Sequence, residues 1–302
     1  VSTLSQSFLG SYRLLAPIRT GRYTQVWAAI DDGNARYVAL KILLPEYRND
    51  REQLRTMRHE LAVGQKLRHP RCLGAFEMRD SKHGAHLLMD LFAGDNLRDV
   101  IKRRRADLNR QFASIVRQCA EGIAYLNSVG FIHLDVKPDN FMLSPEGDVR
   151  VIDFALCRSM PTAWERFFWK RRNKMIQGTR SYMSPEQIRR EPVDFRSDVY
   201  SFGCALYHLA AGVPPYTAGT SDELLAKHLY NKPPRLSIDR PDADPEFVVL
   251  LQAMMAKKPE QRPVSVGELL PQLATMRYFL TEEDEDDGIS PLKSPAAAQK
   301  AG

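Results

Sequence analysis

The chain of 302 residues is poor in the features that would mark several protein classes at once. It has four cysteines, Cys72, Cys119, Cys157 and Cys204, far apart, with no C-x-x-C pair and no nearby paired histidines. That spacing excludes a zinc framework and a disulfide scaffold. Free cysteines of this kind behave as small hydrophobes, so a reducing, cytoplasmic setting is expected. No apolar run approaches the roughly 20 residues of a membrane helix, and the start, VSTLSQSFLG, lacks a basic-then-apolar leader pattern. No internal repeat is visible. The excess of positive charge is small, 43 Lys and Arg against 37 Asp and Glu, and no separate nucleic-acid-binding module accompanies it.

What is present is an ordinary globular composition whose character changes along the chain. Short β-branched and aromatic segments come first, at Tyr12–Pro17, Val26–Asp31, Tyr37–Leu44, Cys72–Met78 and Ala85–Leu91. A charged helical stretch, Arg51–Leu67, interrupts them. After Ala93-Gly94-Asp95 the spacing becomes helical. Phe112, Ile115, Val116, Cys119, Ile123 and Leu126 form one stripe, ended by Gly130. A second helix is expected from Ser197, read as its N-cap, to Gly212, with shorter ones near 221–230, 245–256 and 264–276. Strands first and helices later predict an α+β protein in two lobes, with a hinge near residues 91–95. Residues 282–287 are six consecutive acids, followed by a segment with almost nothing to bury, which reads as a disordered tail.

The strongest chemical signal is His133-Leu134-Asp135-Val136-Lys137-Pro138-Asp139-Asn140, followed after the strand-like Val149–Ile152 by Asp153-Phe154-Ala155. Phosphoryl transfer needs metal ions on phosphate oxygens, a carboxylate near the attacking hydroxyl and a cation against developing charge. The two loops offer Asp135 for the hydroxyl, Lys137 as the cation, and Asn140 and Asp153 as hard oxygen ligands for Mg²⁺. Singly, Asp135 or Asp153 would read as a turn or cap residue; it is their joint spacing that points to this chemistry.

On these residues the chain resembles the eukaryotic-type Ser/Thr protein kinases over residues 12 to about 279, in wording closest to bacterial members (Met183-Ser184-Pro185-Glu186-Gln187). The resemblance implies an α+β, bilobal fold: a small β-rich lobe with one key helix (12–92), a larger helical lobe (93–279), an N-terminal extension (1–11) and an acidic tail (280–302). It implies ATP and Mg²⁺ as cofactors and a protein substrate as partner. Lys41, in Val38-Ala39-Leu40-Lys41, would pair with the α- and β-phosphates, and Glu60 would pair with Lys41. Thr179 would hydrogen-bond near Asp135 and Lys137. Glu186 would pair with Arg262, and Asp198 would hold the catalytic loop, as structural supports. For adenine, Met89 would be the gatekeeper, Asp90 and Phe92 would offer backbone C=O and N–H, and Val26, Ala39 and Met142 would lie above and below the ring.

The chain departs from that pattern at several points. The phosphate-covering loop, Arg19-Thr20-Gly21-Arg22-Tyr23-Thr24, keeps only Gly21 of three glycines, with Arg19 or Arg22 as electrostatic substitutes. Ala155 replaces a glycine. Gly64 stands where a larger apolar residue would help hold the helix. Leu134 replaces the Arg that binds an activation-segment phosphate, and 163–177 contains no Ser or Thr to carry one. Activity independent of such phosphorylation is therefore expected, with a pseudokinase, a nucleotide-binding scaffold, as the alternative. The basic and aromatic stretch Trp164–Lys174 would dock an acidic partner, fold on the acidic tail, or pack as a solvated loop on the large lobe, the last being favoured.

Overall fold

The computed structural model describes residues 8–81, 84–103, 105–162, 164 and 178–280. The basic stretch 165–177, the acidic tail and most of the N-terminal extension lie outside them. The first part of the chain is a six-stranded antiparallel sheet in the order β1-β2-β3-β4-β6-β5, formed by β1 (Phe8–Leu9), β2 (Tyr12–Thr20), β3 (Thr24–Asp31), β4 (Arg36–Leu43), β5 (Ala75–Ser81) and β6 (Gly84–Asp90). The sheet thus begins at Phe8, inside the segment the sequence assigns to an extension. The expected strand at Cys72 starts only at Ala75: Cys72 instead makes an isolated parallel bridge to Val151, and Leu73 and Gly74 lie outside any strand.

Register decides what faces the helical part. Residues directly opposite on paired strands share a face. Val26 pairs with Lys41, Ala28 with Ala39, Ala39 with Met89, and Lys41 with Leu87. Val26, Ala39, Lys41 and Met89 therefore stand together on one face. Helix α1 (Arg51–Gly64) packs against β5. Asp50 caps it, accepting hydrogen bonds from the amides of Glu52 (2.8 Å) and Gln53 (3.1 Å), and Met57, Glu60, Val63 and Gly64 are buried. It stops three residues before the expected Leu67.

The larger part is helical: α2 (Leu97–Arg103), α3 (Arg105–Ser128), α4 (Pro185–Arg189), α5 (Phe195–Ala211), α6 (Ser221–Tyr230), α7 (Leu236–Asp239), α8 (Pro245–Met254) and α9 (Leu270–Thr275). The α3 stripe read from the sequence is buried against the rest. Helix α5 is buried from Ser197 to Ala211 and ends at Gly212, whose φ of 77° suits glycine. Its cap is Asp194, which accepts from the amide of Arg196, and not Ser197, which lies inside the first turn. The expected last helix divides into a 3-10 turn at Val266–Leu269 and α9, because Pro271 suits only a first turn.

Two small ladders set the site. Strand β7 (Asp95–Asn96) pairs with β9 (Phe141–Leu143), which pairs with β10 (Val149–Val151), while β8 (Phe131–Ile132) pairs with β11 (Arg158–Ser159). The loop 133–140 runs from β8 to β9 and the loop 152–157 from β10 to β11. Both loops are consequently pinned side by side at both ends, and the amide of Ile152 donates to the Asn140 carbonyl at 2.9 Å between them.

Candidate active site

Asp135 is held on nearly every side. Its Oδ1 accepts from the Thr179 amide at 2.8 Å, its Oδ2 from Lys137 Nζ at 2.6 Å and Asn140 Nδ2 at 3.2 Å, and its carbonyl from Asn140 Nδ2 at 2.9 Å. Lys137 Nζ also donates to Thr179 Oγ1 at 2.5 Å. Lys137 and Asp135 side chains are mostly buried, where charge-assisted bonds are strong and fix geometry. Gly178 precedes Thr179 with φ of 118°, and a Cβ there would sit 3.1 Å from the Leu134 carbonyl. Only glycine lets the segment come this close.

On the opposite wall Lys41 Nζ donates to both oxygens of Glu60, at 2.8 and 2.7 Å, and lies 3.4 Å from Asp153 Oδ1. Burial opposes the charge on Lys41, but Asp153 and Glu60 more than offset it and raise its pKa. Asp153 is held down to about 2, chiefly by the Lys41 ammonium, against its own burial. Glu60 is pushed up by burial, with Lys41 acting against that push. The three side chains join β4, α1 and the loop after β10. Asp153 adopts φ of 67°, in the left-handed region that Asp enters more readily than most residues.

A hard-cation site needs free oxygens. Asn140 uses its nitrogen on Asp135, and its Oδ1 is buried with no partner among the described residues. That orphaned acceptor and the ionised Asp153 fit Mg²⁺. Among the described residues no three His, Cys, Asp or Glu side chains gather into a metal cage, so the pair leaves further positions to water and phosphate, as Mg²⁺ prefers.

The loop carrying Asp135 is braced from beneath. Asp198, buried in α5, accepts from the amides of His133 (2.8 Å) and Leu134 (3.0 Å) and from Asn127 Nδ2 (2.9 Å). Glu186 and Arg262 form a buried bidentate pair at 2.8 and 3.0 Å, with Ser197 Oγ donating to Glu186 at 2.6 Å. Leu134 has φ of 64° and is buried with Ile132 and Val193, beside Met160 and Phe195. An apolar cluster thus occupies the place where the resemblance puts a phosphate-binding arginine.

Toward the sheet, Ala39 is buried, and Val26, Met89 and Met142 are partly buried. The Asp90 carboxylate is paired with Arg36 at 2.5 Å, and the Phe92 ring lies under the Arg150 guanidinium at 4.6 Å.

Several contacts have no sequence signal. Gly64 meets β5 by backbone alone: a Cβ there would lie 2.7 Å from the nitrogen and the oxygen of Ala75. The expectation that a missing side chain loosens this helix is corrected, since there is no room for one. His59 Nε2 lies 2.6 Å from the Cys157 carbonyl and links α1 to the segment after Asp153. Arg22 rests over the Tyr23 ring at 5.0 Å, whereas Arg19 reaches Asp139.

A family model described as protein kinase domain matches residues 12–279. The serine/threonine-protein kinase PknA of Mycobacterium tuberculosis is 30% identical over 273 residues, covering 89% of this chain and 62% of the relative. A probable serine/threonine-protein kinase of Corynebacterium efficiens is 31% identical over 270 residues (87% and 40%), and the probable kinase PknB of Bifidobacterium longum 29% over 277 residues (88% and 39%). The chain spans at most 62% of the length of these three relatives.

Proposed function

Because this chain belongs to the protein kinase family, we propose that its cleft transfers the γ-phosphoryl group of ATP to Ser or Thr hydroxyls of proteins. The observation that carries the proposal is the convergence on Asp135 of Lys137, Asn140 and the Thr179 amide, opposite an ionised Lys41–Asp153 pair. ATP·Mg²⁺ supplies the electrophilic phosphorus and its leaving group.

Asp135 orients the acceptor hydroxyl and takes its proton as the new O–P bond forms and ADP leaves. Lys137, fixed by Asp135 and Thr179, offsets charge on the transferring oxygens. Asn140 Oδ1 and Asp153 hold Mg²⁺. Lys41, aimed by Glu60, meets the α- and β-phosphates. Val26, Ala39 and Met142 enclose the adenine, Met89 limits its depth, Asp90 and Phe92 offer it backbone groups, and Gly21 lets the covering loop turn. Such a division of labour is positioning and electrostatics, which is nearly all that this reaction asks of a protein.

On this reading, activity does not depend on an activation-segment phosphate. The supporting observation is the apolar cluster around Leu134, which anchors the catalytic loop where a guanidinium–phosphate pair would otherwise be needed. A cytoplasmic setting rests on the four free cysteines; among the described residues no helix is long and apolar enough to cross a membrane.

The second reading, a nucleotide-binding scaffold, is favoured by the Gly21 amide, which is committed to the Thr24 carbonyl at 2.8 Å. Incubation with labelled ATP·Mg²⁺ and a Ser- and Thr-bearing protein separates the two readings. Phosphoserine or phosphothreonine on the protein supports the proposal, and nucleotide binding with no transfer supports the scaffold.

A further inference from the structure

The loop at residues 19–24 poses a chemical problem. A phosphate-covering turn works by pointing amide N–H groups at the anion. Here the one remaining glycine, Gly21, donates its N–H within the turn to Thr24, and Arg22 is laid over Tyr23. A side-chain donor facing the triphosphate would make up for the committed Gly21 amide.

Register supplies a candidate. Arg19 on β2 pairs with Val26 on β3, and Val26 pairs with Lys41 on β4. Directly paired residues share a face, so Arg19, Val26 and Lys41 form a row across three strands on the face that carries the site. With strands about 4.8 Å apart, Arg19 and Lys41 stand roughly 10 Å apart at the backbone. Two long cationic side chains at that spacing converge on a single triphosphate.

The present partner of Arg19 holds it loosely. Its Nη1 donates to the Asp139 carbonyl at 3.4 Å, its Nη2 lies 4.0 Å from Asp139 Oδ1, and its side chain is 41% exposed. Asp139 has a second cation, Arg98, whose Nη1 is at 3.3 Å from the same oxygen. Release of Arg19 therefore leaves Asp139 paired. Asp139 immediately precedes Asn140, which places the guanidinium beside the metal-holding loop. Arg19 also adds its charge to those of Lys41 and Lys137 in holding Asp153 low.

We propose that Arg19 is a phosphate-binding residue, which leaves Asp139 on nucleotide entry and grips the triphosphate from the sheet side, replacing the amide cradle that the lost glycines would have made. The inference rests on the reading of the cleft as an ATP site. A guanidinium matches phosphate with two parallel N–H donors, a geometry that an ammonium lacks.

The test is a binding titration of the full chain with ATP·Mg²⁺ and, separately, with adenosine, which has no phosphate. Arg19→Ala is expected to weaken ATP by about tenfold and leave adenosine within about twofold. Arg19→Lys should fall between, because it keeps the charge and loses the fork. Arg22→Ala should change ATP affinity by less than about twofold, its guanidinium being parked on an aromatic ring. The inference is overturned if Arg19→Ala binds ATP as the unmodified chain does, or if ATP and adenosine weaken in parallel, which marks a structural role. It is equally overturned if ATP affinity holds while only the kcat/KM for an acidic peptide falls, which places Arg19 on the peptide side. An unmodified chain that binds ATP with the expected Arg19 dependence and transfers nothing removes the kinase reading alone. One that binds no ATP removes both.

Discussion

Asn140 turns its amide nitrogen to Asp135, donating to the carbonyl at 2.9 Å and to Oδ2 at 3.2 Å, and so leaves its own oxygen buried and unpartnered among the described residues. One side chain thereby fixes the proposed base and presents an acceptor that no described residue satisfies. A buried polar atom without a partner costs about 1–3 kcal/mol, which a bound cation would recover.

Asn140→Ala removes that oxygen along with both donors. The Mg²⁺ concentration needed for half-maximal ATP binding should rise at least about tenfold, read by titrating Mg²⁺ at fixed nucleotide. An unchanged Mg²⁺ requirement would take Asn140 out of the metal set.

Gly64→Leu should be destabilising by about 1–3 kcal/mol, since its Cβ collides with rigid backbone and α1 must move off β5. The shift also drags Glu60 from Lys41, so ATP binding should weaken with it. Denaturant melting checks the first effect and nucleotide titration the second. A variant as stable as the parent, with normal binding, contradicts the packing described.

Removal of all phosphate by a phosphatase should leave phosphotransfer within about twofold, because the Leu134 cluster is apolar and complete without it. Activity lost on treatment, and restored when a phosphate returns to Ser159 or Thr162, would refute this. Leu134→Arg should lose stability, as it buries a guanidinium among Ile132, Val193, Met160 and Phe195.

Arg262→Ala leaves Glu186 buried without its partner and should cost about 3–5 kcal/mol. Burial opposes ionisation of Glu186, but the Arg262 hydrogen bonds and charge outweigh it and hold its pKa low. The measurement is equilibrium unfolding; a loss under about 1 kcal/mol would mean that this buried, hydrogen-bonded pair is not an anchor of the fold.

Acid should destabilise the helical part through two histidines. Burial lowers His208 to about 4 and His228 to about 3 from an ordinary 6.5. Below pH 6.5 the unfolded chain binds protons that the folded chain refuses, so stability falls from pH 6.5 toward 4 and 3 respectively. The double variant His208→Gln, His228→Gln should show a shallower fall in Tm between pH 6.5 and 4.5. An identical slope would show that neither histidine is held neutral.

Much of the fold was legible because its signals are local. The α3 stripe depends on neighbours three or four residues away, and β3 and β4 on short runs of β-branched and aromatic residues. The failures were also local in origin. Ser197 looks like a cap, but Asp194 lies three residues earlier and captures the amide of Arg196. Cys72 and Leu73 look like strand, yet Gly74 must pass against Gly64 and the chain joins the sheet only at Ala75. At the site, the spacing of Asp135, Lys137, Asn140 and Asp153 is visible in the chain because two ladders hold two short loops. Arg19 with Asp139, His59 with Cys157, and Gly64 with Ala75 join segments 11 to 120 positions apart. No one-dimensional pattern carries such contacts, and the last of them reverses the sense in which Gly64 is read.

The most direct measurement is transfer from γ-labelled ATP·Mg²⁺ to a Ser- and Thr-bearing protein by the unmodified chain and by Asp135→Asn, with ATP affinity measured on both. Loss of the carboxylate should reduce transfer by at least about a hundredfold and leave ATP affinity within about twofold. Equal transfer by the two proteins, or none by either with ATP still bound, would contradict a role for Asp135 in phosphoryl transfer.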